Sequence, residues 1–137
     1  MMLLSIAFVA VAALVASASA HAVSCRGEVA CPLNDGQLID LLVQFQKLQK
    51  QGKGSRYYKP GVQIACADGP GASMCAFYQR GAGGNVNTAA KLVQSLLDRK
   101  CSRCGSFHPA RRDVSKGELV INLVTRACCE GNCICPR

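Results

Sequence analysis

The stretch Val62-Gln63-Ile64-Ala65-Cys66-Ala67-Asp68-Gly69-Pro70-Gly71-Ala72-Ser73-Met74-Cys75-Ala76-Phe77-Tyr78-Gln79-Arg80 holds two apolar runs separated by a break. Val62 to Cys66 reads as a strand, Ala67 to Gly71 as a loop, and Met74 to Arg80 as the returning strand. Apolar and aromatic runs bounded by an Asp/Gly/Pro cluster are the signature of a hairpin, here with a long tip. Cys66 and Cys75 flank that tip.

Upstream, Leu38, Leu41, Leu42, Phe45 and Leu48 recur at helical spacing, with Gln44, Lys47 and Lys50 opposite. Asn34 or Asp35 is the expected cap, and Gly52 and Gly54 are the expected stop. Arg56-Tyr57-Tyr58-Lys59 then runs into a Pro60-Gly61 turn. Val23 to Cys31 reads as a short extended segment, broken by Pro32.

Downstream, Gly81 to Asn87 is a flexible connector, and Asn87 or Thr88 is expected to cap a second helix with the stripe Ala89, Leu92, Val93, Leu96 and Leu97. Arg99 and Lys100 would fall in its last turn and complement the helix dipole. Cys101 to Lys116 reads as irregular. Glu118 to Arg126 alternates as a strand whose mixed second face predicts a central position. Two amphipathic helices and a mostly antiparallel sheet must cover each other's apolar faces. The predicted fold is therefore α+β, a two-layer α/β sandwich stapled by disulfides.

The ten cysteines all lie beyond residue 20, and the first 20 residues are almost wholly apolar, uncharged and end in small residues. That pattern reads as a secretory signal peptide, with cleavage expected after Ala20 and Ala22 as second choice. Leu3 to Val15 would be short for a membrane anchor. Residues 21–127 would then form one domain and 128–137 a cysteine-rich tail, in a secreted, extracellular protein whose cysteines pair. The tail reads as locally stapled, so trimming it after Thr125 is expected to cost far less stability than removing a long-range bridge.

Metal and redox readings of Cys101-x2-Cys104 lack a second pair or histidines at suitable spacing, so no metal and no cofactor are expected. His108 precedes Pro109 with no nucleophile motif nearby, and the eight acids are scattered. No catalytic residue is assigned and the chain is expected not to be an enzyme. The net charge of +8 favours acidic partners, but the cations are too scattered to indicate a nucleic-acid groove.

Val-Ser-Cys-Arg-Gly-x3-Cys at Val23 to Cys31 resembles the opening of fungal killer toxins of the Kp-four type. Leu97 to Val124 resembles them more strongly, through Cys101-x2-Cys104-Gly105-Ser106 followed by Asp113-Val114-Ser115-x-Gly117-x-Leu119-x2-Asn122-x-Val124. Gly61 to Cys66 and Met74 to Phe77 resemble the central hairpin of killer-toxin-like proteins, and the whole match runs over about residues 23–126. The resemblance implies an α/β sandwich and a secreted growth inhibitor that interferes with calcium uptake at a channel of the target cell. It also implies a functional basic residue shortly before the cysteine matching Cys66. The matching position here is Ile64, and the nearest basic residues are Lys59 and Arg56. It further implies that Cys25 joins Cys101 and Cys31 joins Cys104. Cys66 and Cys75 can then close the hairpin, leaving Cys128, Cys129, Cys133 and Cys135 to pair among themselves without a bridge between the adjacent two.

Arg103, Arg111, Arg112 and Lys116 crowd the segment before the last strand, and Arg56 and Lys59 form a second basic group; these six are the candidate target-binding residues. The expected partner is a cell-surface protein such as a calcium channel, met by a monomer without stable membrane insertion. The alternatives are a cationic antimicrobial acting on anionic membranes and a secreted effector without toxicity.

Overall fold

The computed structural model describes residues 22–25, 31, 37–68, 73–81, 83–108 and 118–136. The signal-peptide reading of residues 1–20 and the Asn34 and Asp35 caps lie outside them.

Helix α1 (Leu38–Lys50) buries Leu38, Leu41, Leu42, Phe45 and Leu48, as their spacing requires, but also Gln44, which the sequence places on the polar side. Gln37 holds the cap position, and its N–H donates to Asp40 Oδ2 at 3.3 Å, which brings an acid to the positive end of the helix. Gly52, at φ +73°, turns the chain away after the last turn.

Helix α2 (Val86–Asp98) starts earlier than the expected Asn87 or Thr88. Asn85 is its cap, and Asn85 Oδ1 accepts from the Thr88 N–H at 2.8 Å. Arg99 and Lys100 are not in its last turn: Arg99 is the C-terminal cap residue, and Lys100 turns left-handed at φ 64°.

The strands are β1 (Ala22–Ser24), β2 (Tyr57–Tyr58), β3 (Gln63–Ala67), β4 (Ser73–Gln79), β5 (Gly84–Asn85), β6 (Gly105–His108), β7 (Glu118–Val124) and β8 (Cys133–Ile134). Six of them form one sheet in the order β1-β6-β7-β4-β3-β8, with every pair antiparallel, and β2 and β5 form a separate ribbon. The central position of β7, between β6 and β4, is the one its two-sided apolar pattern predicts. Strand β6 corrects the irregular reading of Cys101 to Lys116.

Alternation sorts the sheet into two faces. Met74, Ala76 and Tyr78 of β4, Leu119 and Ile121 of β7, and Ile64 of β3 share one core with both helices. The architecture is thus the α+β, disulfide-stapled sandwich expected from the sequence. Tyr78 donates its hydroxyl to the Asn85 carbonyl at 2.9 Å, and burial pushes its phenol well above the ordinary tyrosine range, so the donor stays protonated.

Behind the sheet lies a second, smaller core of Cys66, Cys75 and Cys135, with Val124, Ala127, Cys128, Cys129 and Cys133 packed on it. The tail builds this core. Strand β8 pairs with β3, and the Cys135 N–H donates to the Ile64 carbonyl at 2.9 Å. The tail is therefore more than a local staple. Truncation after Thr125 uncovers the Cys66–Cys75 pair and the β3 edge. It is expected to cost at least about 2 kcal/mol in urea unfolding, most of it apolar surface returned to water. A cost below about 0.5 kcal/mol, the range of a neutral surface change, would show that the tail stabilises nothing but itself.

Candidate functional site

Five disulfides fix the scaffold. Cys25 bridges Cys101 and Cys31 bridges Cys104, which sutures the N-terminal segment to the chain beyond α2. Cys66 bridges Cys75, its direct cross-strand neighbour, with the Cα atoms 4.1 Å apart. In the tail Cys128 bridges Cys135 and Cys129 bridges Cys133, leaving no free cysteine. The sulfurs of Cys66, Cys128, Cys129 and Cys135 lie within 4.8 Å of one another, a spacing that could suit a metal. Each of them is held in a disulfide, however, and metal ligation requires thiolates.

The candidate cations do not form one cluster. Arg111, Arg112 and Lys116 lie outside the described residues. Arg103 is half-buried between the bridged Cys101 and Cys104, beside Ser102, whose carbonyl accepts from the Leu38 N–H at the start of α1. Arg56 and Lys59 lie at the opposite end of the molecule, after the C-terminus of α1, with Arg56 half-buried and Lys59 exposed. Ile64, at the position where the killer-toxin resemblance places a basic residue, is wholly buried, at 0% exposure, under the helices.

The fold gathers more charge around Arg56 and Lys59 than the sequence reading assigned. The helices run antiparallel, so the end of α1 meets the start of α2. Gln49 Nε2 donates to Asn87 Oδ1 at 2.9 Å, and the Asn87 N–H donates to the Gly54 carbonyl at 2.8 Å. The Val86 N–H reaches the Arg56 carbonyl, and the Gly61 N–H reaches the carbonyl of Tyr78, two residues before Arg80. One end of the molecule therefore carries Lys47, Lys50, Lys53, Arg56, Lys59, Arg80 and Lys91, all exposed except the half-buried Arg56. Residues 41–67 and 73–97 contain no Asp or Glu at all. Glu118, which opens β7 opposite Gln79, is buried. Asp40, Asp68, Asp98 and Glu130 belong to the start of α1, the hairpin tip, the end of α2 and the tail.

Lys47, Lys50, Lys53, Arg80 and Lys91 are not among the candidate target-binding residues read from the sequence. The signal was present in the two acid-free stretches, but they join into one surface only once α1, the hairpin and α2 are packed. Two exposed apolar side chains stand in the same region, Tyr57 and Val62. The Tyr57 hydroxyl accepts from the Gly83 N–H at 2.9 Å, which fixes the ring across the β2–β5 ribbon. Among the described residues no helix is long and apolar enough to cross a membrane.

A small α+β domain, bridged five times and strongly basic at one end, is the class of protein that these features define. The chain belongs to the Kp4 family of fungal killer toxins, whose family model matches residues 8–125. No curated protein matches the chain.

Proposed function

We propose that the chain is a secreted growth inhibitor that acts from outside on other cells by interfering with their calcium uptake. Membership of the killer-toxin family over residues 8–125 carries this reading. The five disulfides support it, because such density suits an oxidising, extracellular setting. The activity is one of binding rather than catalysis, and its target is a surface protein with an acidic mouth, such as a calcium channel. Lys59 is the residue best placed to take the role that Ile64 cannot, being exposed on the turn that leads into β3.

The test is growth inhibition of sensitive cells with added calcium or with sodium at matched ionic strength. Both salts weaken attraction between exposed charges, over a screening length of about 8 Å at physiological ionic strength. Calcium alone also relieves blocked uptake. Calcium is therefore expected to rescue growth at least about threefold better than sodium, and Lys59→Glu is expected to weaken inhibition about tenfold without lowering the melting temperature. Equal rescue by the two salts would reduce the effect to screening and remove the calcium reading. Dye release from anionic vesicles by the purified protein would point instead to the membrane-lytic alternative.

A further inference from the structure

We propose that the basic end of the molecule is a docking face for the surface of an anionic lipid bilayer. The inference stands apart from the calcium reading, since it concerns where the protein collects rather than what it blocks.

Three observations carry it. First, the charge is one-sided. Seven cations lie on the α1 end, the 52–62 turns, the residues after β4 and the first half of α2, while the exposed acids of the described residues belong elsewhere. A surface of one sign is attracted face-on to a surface of the other sign. Second, the cations are spread over turns and helix ends rather than lining a groove. Lys59, Pro60, Gly61 and Val62 are all exposed, so the turn is open to solvent. An open, multi-point basic face matches a laterally extended array of headgroups.

Third, the charges surround two apolar side chains that the described fold leaves partly exposed. Tyr57 is 48% exposed and Val62 is 39% exposed. Tyrosine favours the boundary between water and hydrocarbon, and the Tyr57 hydroxyl keeps its Gly83 N–H partner there. Val62 has no polar atom to offer a hydrated polymer, whereas a bilayer can take it in below the headgroups. The combination of clustered Lys and Arg with a shallow apolar tip therefore favours a lipid surface over a soluble polyanion. The binding would be peripheral and reversible, because two side chains are too little to anchor a protein by insertion.

The experiment is co-sedimentation of the purified protein with phosphatidylcholine vesicles, with and without phosphatidylserine, over a range of salt. Binding is expected only to the serine-containing vesicles and is expected to fall steeply with salt. Each Lys near an anionic surface is worth about fivefold in partition, so Lys50→Glu with Lys53→Glu should lower binding by at least about 25-fold. Arg99→Glu with Lys100→Glu makes the same change in net charge at the far end of α2, away from the basic end, and is expected to lower binding less than about fivefold. Equal losses from the two pairs would mean that net charge alone drives adsorption, and would overturn the proposal. Val62→Ser leaves the charge unchanged. It is expected to weaken vesicle binding about threefold and to leave binding to soluble polyglutamate unaltered. No effect of Val62→Ser on vesicles, or binding to polyglutamate as tight as to vesicles, would assign the face to an acidic polymer instead. All variants lie on the surface, and unchanged melting temperatures confirm that they remain folded.

Discussion

Replacing Cys25 and Cys101 by Ala is expected to cost about 2 to 3 kcal/mol, whereas also replacing Cys31 and Cys104 is expected to cost about 7 kcal/mol. The asymmetry follows from how the two bridges interlace, each with one end inside the loop the other closes. They join positions 76 and 73 residues apart, and they enclose nearly the same stretch of chain. Either bridge alone already closes the long loop in the unfolded state. The second then closes only the small ring between the Cys25–Cys31 and Cys101–Cys104 segments, which restricts the unfolded chain less. Losing both returns the entropy of the long loop as well. Domains of this size have about 5 to 15 kcal/mol of stability in total, so the variant lacking both bridges should sit at or beyond the edge of folding. Thermal melts followed by near-ultraviolet circular dichroism will show it: a drop of about 10 °C for one bridge, and no cooperative transition near physiological temperature for the loss of both. A loss from both that merely doubles the loss from one would show that the bridges act independently.

Restoring a basic residue at the position the killer-toxin resemblance indicates is expected to damage the fold rather than to add activity. Ile64 is fully buried in β3, the strand that packs on α1, so Ile64→Lys removes core packing and places an ammonium group in the shared apolar core. A cost of about 4 to 5 kcal/mol is expected at pH 7. The pH dependence distinguishes this cause from simple misfit. Burial disfavours the charged form, so the lysine in the folded protein would lie below its unfolded value of about 10.4. The unfolded state then binds more protons, and stability rises with pH between the folded and unfolded values. Urea unfolding at pH 7 and pH 9.5 should show the variant recovering part of its loss at the higher pH while the parent protein does not. A variant as stable as the parent, with no such recovery, would mean that position 64 can reach water and can carry the family's basic residue.

The elements legible in the sequence are those whose pattern is set by burial on one side. The α1 and α2 stripes, the hairpin and the two-sided β7 are of this kind, and each is found within a few residues of its expected bounds. The elements not legible owe their form to neighbours. Strand β6 has only four residues and begins with a glycine. It is a strand because it is held between β1 and β7, and a Cβ at Gly105 would come within 2.8 Å of the Ser24 carbonyl oxygen. Strand β8 has two residues and exists only as a pairing with β3. The α2 cap was misplaced because Asn85, Asn87 and Thr88 all have capping side chains, and only the backbone turn out of β5 selects the first. The candidate site was half legible. Arg56 and Lys59 mark the basic end, but its extent depends on which chain segments meet.

Both margins of the six-stranded sheet are closed by very short strands, β1 with three residues and β8 with two. A longer open margin presents a row of unpaired backbone groups on which a second molecule can lay its own strand, and this is how many β-rich proteins come to aggregate. Here the full-length strands β4 and β7 are interior, and β3 is flanked on one side by β4 and on the other by the disulfide-held tail. On the proposed reading of a secreted protein, working where no chaperones can rescue it, such short margins spare it edge-to-edge pairing of sheets. Residues 128–136 serve as a cover on the β3 side of the sheet, where a longer strand would otherwise stand open to another molecule.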